Sequence, residues 1–149
     1  MANSRWTVPP RWLRVFNRVN IGMQRAGLPL GPTQVLTVRG RSSGQPRTTP
    51  VTPFEVDGHR YVIGGFAHGD WVANARANPD ATLQHGRRRE KIRLVELPET
   101  ERGRIMREFP TQVPQGVFFF RKVGVVDDAT PEAFERGASK AAVFRVESR

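Results

Sequence analysis

Apolar residues recur at helical spacing near the start of the chain: Trp12, Phe16, Val19 and Met23 fall four, three and four apart and form one stripe. Pro9-Pro10 stand just before it, where proline suits a first helical turn. Arg11, Arg14, Arg18 and Arg25 gather on the opposite side, and Gly27 or Pro29 ends the pattern. This predicts an amphipathic helix over about 9–26, docked on the core by its apolar stripe. Its cationic back also suits peripheral contact with an acidic membrane surface.

From Gln34 the pattern shortens to β-type runs. Residues 35–38 read as a strand ending at Gly40, and 48–56 as a second, in which Pro50 and Pro53 forbid a regular central position. Asp57-Gly58 lies between 54–56 and 61–63, a strong hairpin signal. Asp70 is placed to cap a helix over 71–77, stopped by Asn78-Pro79. Residues 81–85 and 88–97 form another hairpin turning near Gly86, and Pro98 opens a polar helix over 99–109. Phe118-Phe119-Phe120 is unbroken by polar residues, and 141–146 reads as a closing strand. Hairpins dominate and alternating βα units are absent, so the class is mainly β (α+β), a small barrel or sandwich. We expect one domain over 1–149, with about six mostly antiparallel strands and two or three short helices besides the N-terminal one. The barrel covers about 34–97. The C-terminal helix, Phe-rich segment and closing strand cover about 98–147.

Charge narrows the partners. Twenty-four Lys and Arg face 14 Asp and Glu, a net charge of +10 that favours anions. Lysine occurs only at Lys91, Lys122 and Lys140, so the cations are mostly arginines, which grip phosphate and carboxylate with two prongs. A solvated basic surface accounts for many of them. Specific nucleic-acid binding is not expected, since no exposed aromatics interleave with the cations on a strand platform. With no cysteine, thiolate chemistry and disulfides are excluded. His59, His68 and His85 have no metal-ligand spacing, so no metal site is expected. No secretion signal and no spanning apolar run is evident, so a cytoplasmic protein is expected, with the inner membrane face as the place the N-terminal helix would reach.

The segment Gly40-Arg41-Ser42-Ser43-Gly44-Gln45-Pro46-Arg47 carries the most chemistry. Gly40 and Gly44 permit tight backbone turns, the serines offer hydroxyls, and Arg41 and Arg47 add fixed charge, which together make an anion cradle. A polar hairpin turn with incidental arginines explains the same residues equally well. It is no P-loop, because the Gly-Lys-Ser/Thr ending is missing. Gly64-Gly65-Phe66 closes a strand, where paired glycines either let a flat ligand approach or simply make a turn. Trp71 and Asn74 share a helix face and either stack on and hydrogen-bond a planar ring or serve as core and helix-exit residues. Phe118, Phe119 and Phe120, with Trp12 and Phe16, line an apolar pocket or belong to the core. His68, in the Gly-rich loop, is the one histidine retained as a proton-donor candidate.

The run from Thr37 to Pro50, followed by Tyr61-Val62-Ile63-Gly64-Gly65 and then Asp70-Trp71-Val72-Ala73-Asn74-Ala75-Arg76-Ala77-Asn78-Pro79, resembles the deazaflavin-dependent nitroreductase family over about residues 9–97. The resemblance implies a split β-barrel using coenzyme F-420, with FMN as the alternative cofactor of such a barrel. It implies that Arg41, Ser42, Ser43, Gly44 and Arg47 hold the cofactor's acidic tail, with Gln45, Thr49 and Pro50 from the same run. It places Gly64, Gly65 and Phe66 at the ring, with Trp71 and Asn74 beside it. Relatives often carry lysine where Ser42 stands and tyrosines near the substrate where this chain has Phe118–Phe120. The implied activity is hydride transfer to an apolar small molecule such as a quinone, enone or nitroaromatic, by a monomer or homodimer. A non-catalytic deazaflavin- or lipid-binding protein of the same fold is the reading from another class.

Overall fold

The computed structural model describes residues 17–18 and 32–149. Asn17 and Arg18 are helical; the rest of the helix predicted over 9–26, with Trp12 and Phe16, lies outside the described residues.

Among the described residues seven strands form a single antiparallel sheet: β1 (Gln34–Arg39), β2 (Pro46–Val51), β3 (Phe54–Val56), β4 (His59–Gly64), β5 (Asp80–His85), β6 (Arg88–Glu96) and β7 (Ala142–Ser148). Their order is β2-β1-β5-β6-β7-β4-β3, so β2 and β3 are the two edges. Only Thr52 and Pro53 separate these edges in sequence. Three Cα steps span at most ~11 Å, whereas seven strands laid flat would part their edges by ~29 Å. The sheet must therefore curl until its edges nearly meet. This is the split barrel expected, with seven strands in place of about six.

The extra strand comes from the prolines. The run expected as one strand over 48–56 breaks at Thr52-Pro53 into two edge strands, and Pro50 sits in β2, where one side of the backbone needs no partner. Asp57 and Gly58 take φ of 52° and 80°, the two left-handed residues of the expected two-residue hairpin turn. Helix α1 (Asp70–Ala77) begins one residue earlier than expected: Gly69 is the cap and Asp70 the first helical residue. Its carboxylate points to Arg41 instead.

The C-terminal third is more helical than the sequence pattern suggests. After α2 (Glu99–Met106) come α3 (Phe109–Gln112), α4 (Val117–Lys122) and α5 (Pro131–Arg136). The polar helix predicted over 99–109 thus stops at Met106, and the unbroken Phe run belongs to a helix. Thr130 Oγ1 accepts from Ala133 N at 3.2 Å to cap α5, and Pro131 occupies its first turn.

Two apolar clusters share β4 and β7. Val62, Ala142 and Phe144 face one, with Leu36, Val72 and Ile92; Tyr61, Ile63 and Val143 face the other, with Ile105, Met106, Phe109 and Phe134. This period-two alternation puts one cluster inside the curl and one beneath the C-terminal helices. Glu96 ties helices to sheet, accepting from Arg76 on α1 at 2.8 Å and from Arg102 on α2 at 3.2 Å. The Arg76 hydrogen bond holds the Glu96 carboxyl below the usual carboxylate range, against the opposing effect of partial burial. A depressed carboxyl contributes stability that is full above its ordinary pKa and fades as pH falls through the folded value. Glu96→Gln should therefore cost about 1–2 kcal/mol at neutral pH. In urea unfolding the gap from wild type should close as pH drops below roughly 4.5. A gap of constant size at all pH would refute the ionic account.

Candidate functional site

The loop between β1 and β2 is folded tightly on itself. Gly40 N donates to Gln45 O at 2.8 Å and Gly44 N to Gly40 O at 2.9 Å. Gly44 takes φ of 71°, which explains glycine there. Ser43 Oγ accepts from Gln45 N at 3.2 Å.

Helix α1 anchors this loop from below. Asn74 is buried, at 4% exposure, and its Oδ1 accepts from Arg41 N at 3.0 Å and from Arg41 Nη1 at 2.8 Å. Arg41 Nη2 also reaches Asp70 Oδ1 at 3.4 Å. Two donors on one oxygen fix the amide's orientation, leaving Asn74 Nδ2 without a hydrogen-bond partner among the described residues. Asn74, expected beside a planar ring, thus spends its oxygen on locking the loop. Arg47, in contrast, pairs with no acid among the described residues.

A cavity of about 550 Å³ opens here, lined by Arg41, Ser42, Ser43, Arg47 and Thr48 on one side and by Asp70, Trp71 and Asn74 on the other. A second cavity, of about 570 Å³, is lined mainly by apolar groups, among them Pro50, Ile63, Gly65, Phe109 and Phe118–Phe120. Thr49, Phe66 and Trp71 line both. The two spaces adjoin across these three side chains. Trp71 rests on Phe144 with ring centroids 5.4 Å apart, and Phe66 meets Phe119 edge-on at 6.1 Å. The shared wall is held from behind by the core.

The remaining expected residues divide. Phe120 is buried, Phe119 half-buried and Phe118 71% exposed. Gly44, Gln45, Gly64 and His68 line neither cavity, and His68 stands exposed in the turn before α1. Gly64 makes room for protein, not ligand: a Cβ there would lie 2.7 Å from Val72 Cγ2 and 3.0 Å from the Trp71 ring. Gly65 does line the apolar cavity, and a Cβ there would meet the rings of Phe119 and Phe120 at 3.0 and 3.3 Å. Thr48, Asp70, Gln115 and Lys122 line the cavities without having been singled out. For Lys122 the missing signal was the helix itself, which sets it four residues from Phe118 on one face. Among the described residues no cluster suits a metal ion, and no helix is long and apolar enough to cross a membrane.

Residues 11–122 match the family model described as F420H(2)-dependent quinone reductase. No curated protein matches. Among solved structures, an F420-H2 dependent reductase (FDR-A) is similar at 24% identity and TM-score 0.53, over 78% of this chain and 95% of that one. An FAD-binding protein from Mesorhizobium loti is similar at 16% identity and TM-score 0.52, over 87% and 88%. A pyridoxamine 5'-phosphate oxidase-like protein from Listeria innocua is similar at 13% identity and TM-score 0.51, over 87% and 90%. At these identities the structural likeness establishes the fold.

Proposed function

We propose, for a chain that belongs to the F420H(2)-dependent quinone reductase family, that its two adjoining cavities divide the work of a reductase between cofactor and substrate. Its cofactor is coenzyme F-420, and its activity is that of an F-420-dependent reductase. The first cavity suits the cofactor's anionic tail: Ser42 and Ser43 offer hydroxyls, and Arg47 and Asn74 offer a guanidinium without an acidic partner and an amide N–H without an acceptor among the described residues. The ring would lie at the shared wall of Thr49, Phe66 and Trp71, where an indole gives it a flat apolar neighbour. When bound and reduced, coenzyme F-420 supplies a hydride. The residues of the second cavity would hold an apolar electrophile against that wall, orient it and exclude water.

The observation that carries this reading is the shared wall itself. A basic, polar space and an apolar space meet across two aromatic side chains and a threonine. That arrangement favours a quinone, enone or nitroaromatic as the acceptor over a charged substrate. Titration with F-420 and with FMN, followed through ring fluorescence, tests the cofactor site. Oxidation of reduced F-420 by a panel of naphthoquinones, cyclohexenones and nitroarenes tests the acceptor. Tight FMN binding with no response to F-420, or no turnover with any member of the panel, would sink the proposal.

A further inference from the structure

Hydride addition to a carbonyl-conjugated acceptor leaves negative charge on the substrate's oxygen, and that charge needs a cation and a proton. Tyr61, the chain's one tyrosine, is buried against Phe54 and lines neither cavity. His68 lines neither as well. Among the described residues of the second cavity there is no carboxylate, histidine or tyrosine, and Lys122 alone has an ionisable side chain. Its Nζ lies 5.6 Å from the centroid of the Phe118 ring, which stands exposed at the cavity's edge. A cation–π contact of this kind holds an ammonium over the ring face. Most of the other described lining residues are apolar and none carries a charge, so the ammonium is the one full charge that a ligand's oxygen would meet among them. Asn17, Thr33, Thr49, Thr52 and Gln115 supply neutral hydrogen-bonding groups only.

We propose that Lys122 is the acid and the oxyanion partner of the reduction, a role that rests on the second cavity being the substrate chamber. The acceptor takes two electrons and one hydrogen as hydride from reduced coenzyme F-420, the reductant of the family's activity. One proton then passes from Lys122 Nζ to the substrate oxygen: an N–H bond breaks, an O–H bond forms, and a neutral amine remains. Lys122 is solvent-exposed, so water returns the proton before the next turnover. The phenylalanine-lined chamber thus needs no tyrosine.

The test uses 4-nitrophenol as a coloured stand-in for the anionic product, with no cofactor present. Bound to wild type, the dye should be enriched in phenolate roughly tenfold over free dye at the same pH, a shift of one pKa unit. Lys122→Met should abolish the enrichment and Lys122→Arg should keep it. With reduced F-420 and a naphthoquinone, Lys122→Met should lower kcat on the order of 100-fold, the low end for general acid catalysis at an exposed site. Lys122→Arg should also turn over slowly, because a guanidinium keeps its proton. Affinity for F-420 should be unchanged in both variants. Wild-type kcat in Lys122→Met, or phenolate enrichment that is absent from wild type or survives in Lys122→Met, would overturn the assignment. Failure of wild type to bind F-420 would strike the cofactor reading, while the dye result still decides the lysine.

Discussion

Arg47→Ala should weaken binding of coenzyme F-420 by about 1.5–3 kcal/mol, the range of a charge-assisted contact, or roughly 10- to 150-fold in Kd. Arg47 lies on edge strand β2, exposed, lines the polar cavity and has no acidic partner among the described residues. Its charge is therefore available to a ligand, and its loss should leave stability within about 0.5 kcal/mol of wild type. Arg41 behaves differently, since its guanidinium and backbone N–H are both tied to Asn74 Oδ1. Arg41→Ala should lose affinity together with loop order, which amide exchange at Ser43 to Gln45 would register. Fluorescence titration at two salt concentrations separates the cases. An Arg47→Ala protein that binds as tightly as wild type would place the acidic tail elsewhere.

The second large effect belongs to Gly64. A methyl group there would meet Val72 Cγ2 at 2.7 Å, and Val72 is a fully buried, β-branched helix residue with little room to rotate. The ring of Trp71 blocks the other side at 3.0 Å. Gly64→Ala should therefore cost about 2–3 kcal/mol, the upper part of the range for overpacking. It should also weaken F-420 binding, because displacing α1 moves both Trp71 and Asn74. The diagnostic is a double-mutant cycle with Val72→Ala, which removes the obstructing methyl. Denaturant melts should show the double variant more stable than the sum of the singles predicts. Strict additivity would mean that the contact does not set the helix position.

Local chemistry made much of this legible in advance. Asp57-Gly58, Gly86 and Asn78-Pro79 marked turns and a helix stop where they occur, because each acts through its own backbone preferences. The Gly40–Arg47 loop was identifiable for the same reason, since glycines, serines and arginines act within a few residues of one another. What escaped depends on distant partners. Nothing near Asn74 in sequence says that its amide oxygen belongs to a loop 33 residues away. Gly64 looked like an opening for a ligand because the occupant of that space, Val72, arrives from the next helix. The helix holding Phe118 to Lys122 was obscured by three consecutive phenylalanines, whose separate fates in core, wall and rim are set by packing. The strand count rose to seven for a local reason, the pair Pro50 and Pro53.

The position of β7 has a consequence for synthesis. It follows every other described element in the chain, yet it lies inside the sheet, between β6 and β4. Arg60 meets Glu55 within the β3–β4 hairpin, but its partner on the other side of β4, Val146, is made only near the end of the described chain. During translation the β1–β2–β5–β6 half, which carries the loop between β1 and β2, and the β3–β4 hairpin emerge from the ribosome as two unjoined pieces. Each presents an unpaired strand edge of the kind that recruits foreign strands. A message stopped short of Ala142 would thus yield a chain with no completed sheet, and chaperone engagement should persist until the final strand has cleared the exit tunnel.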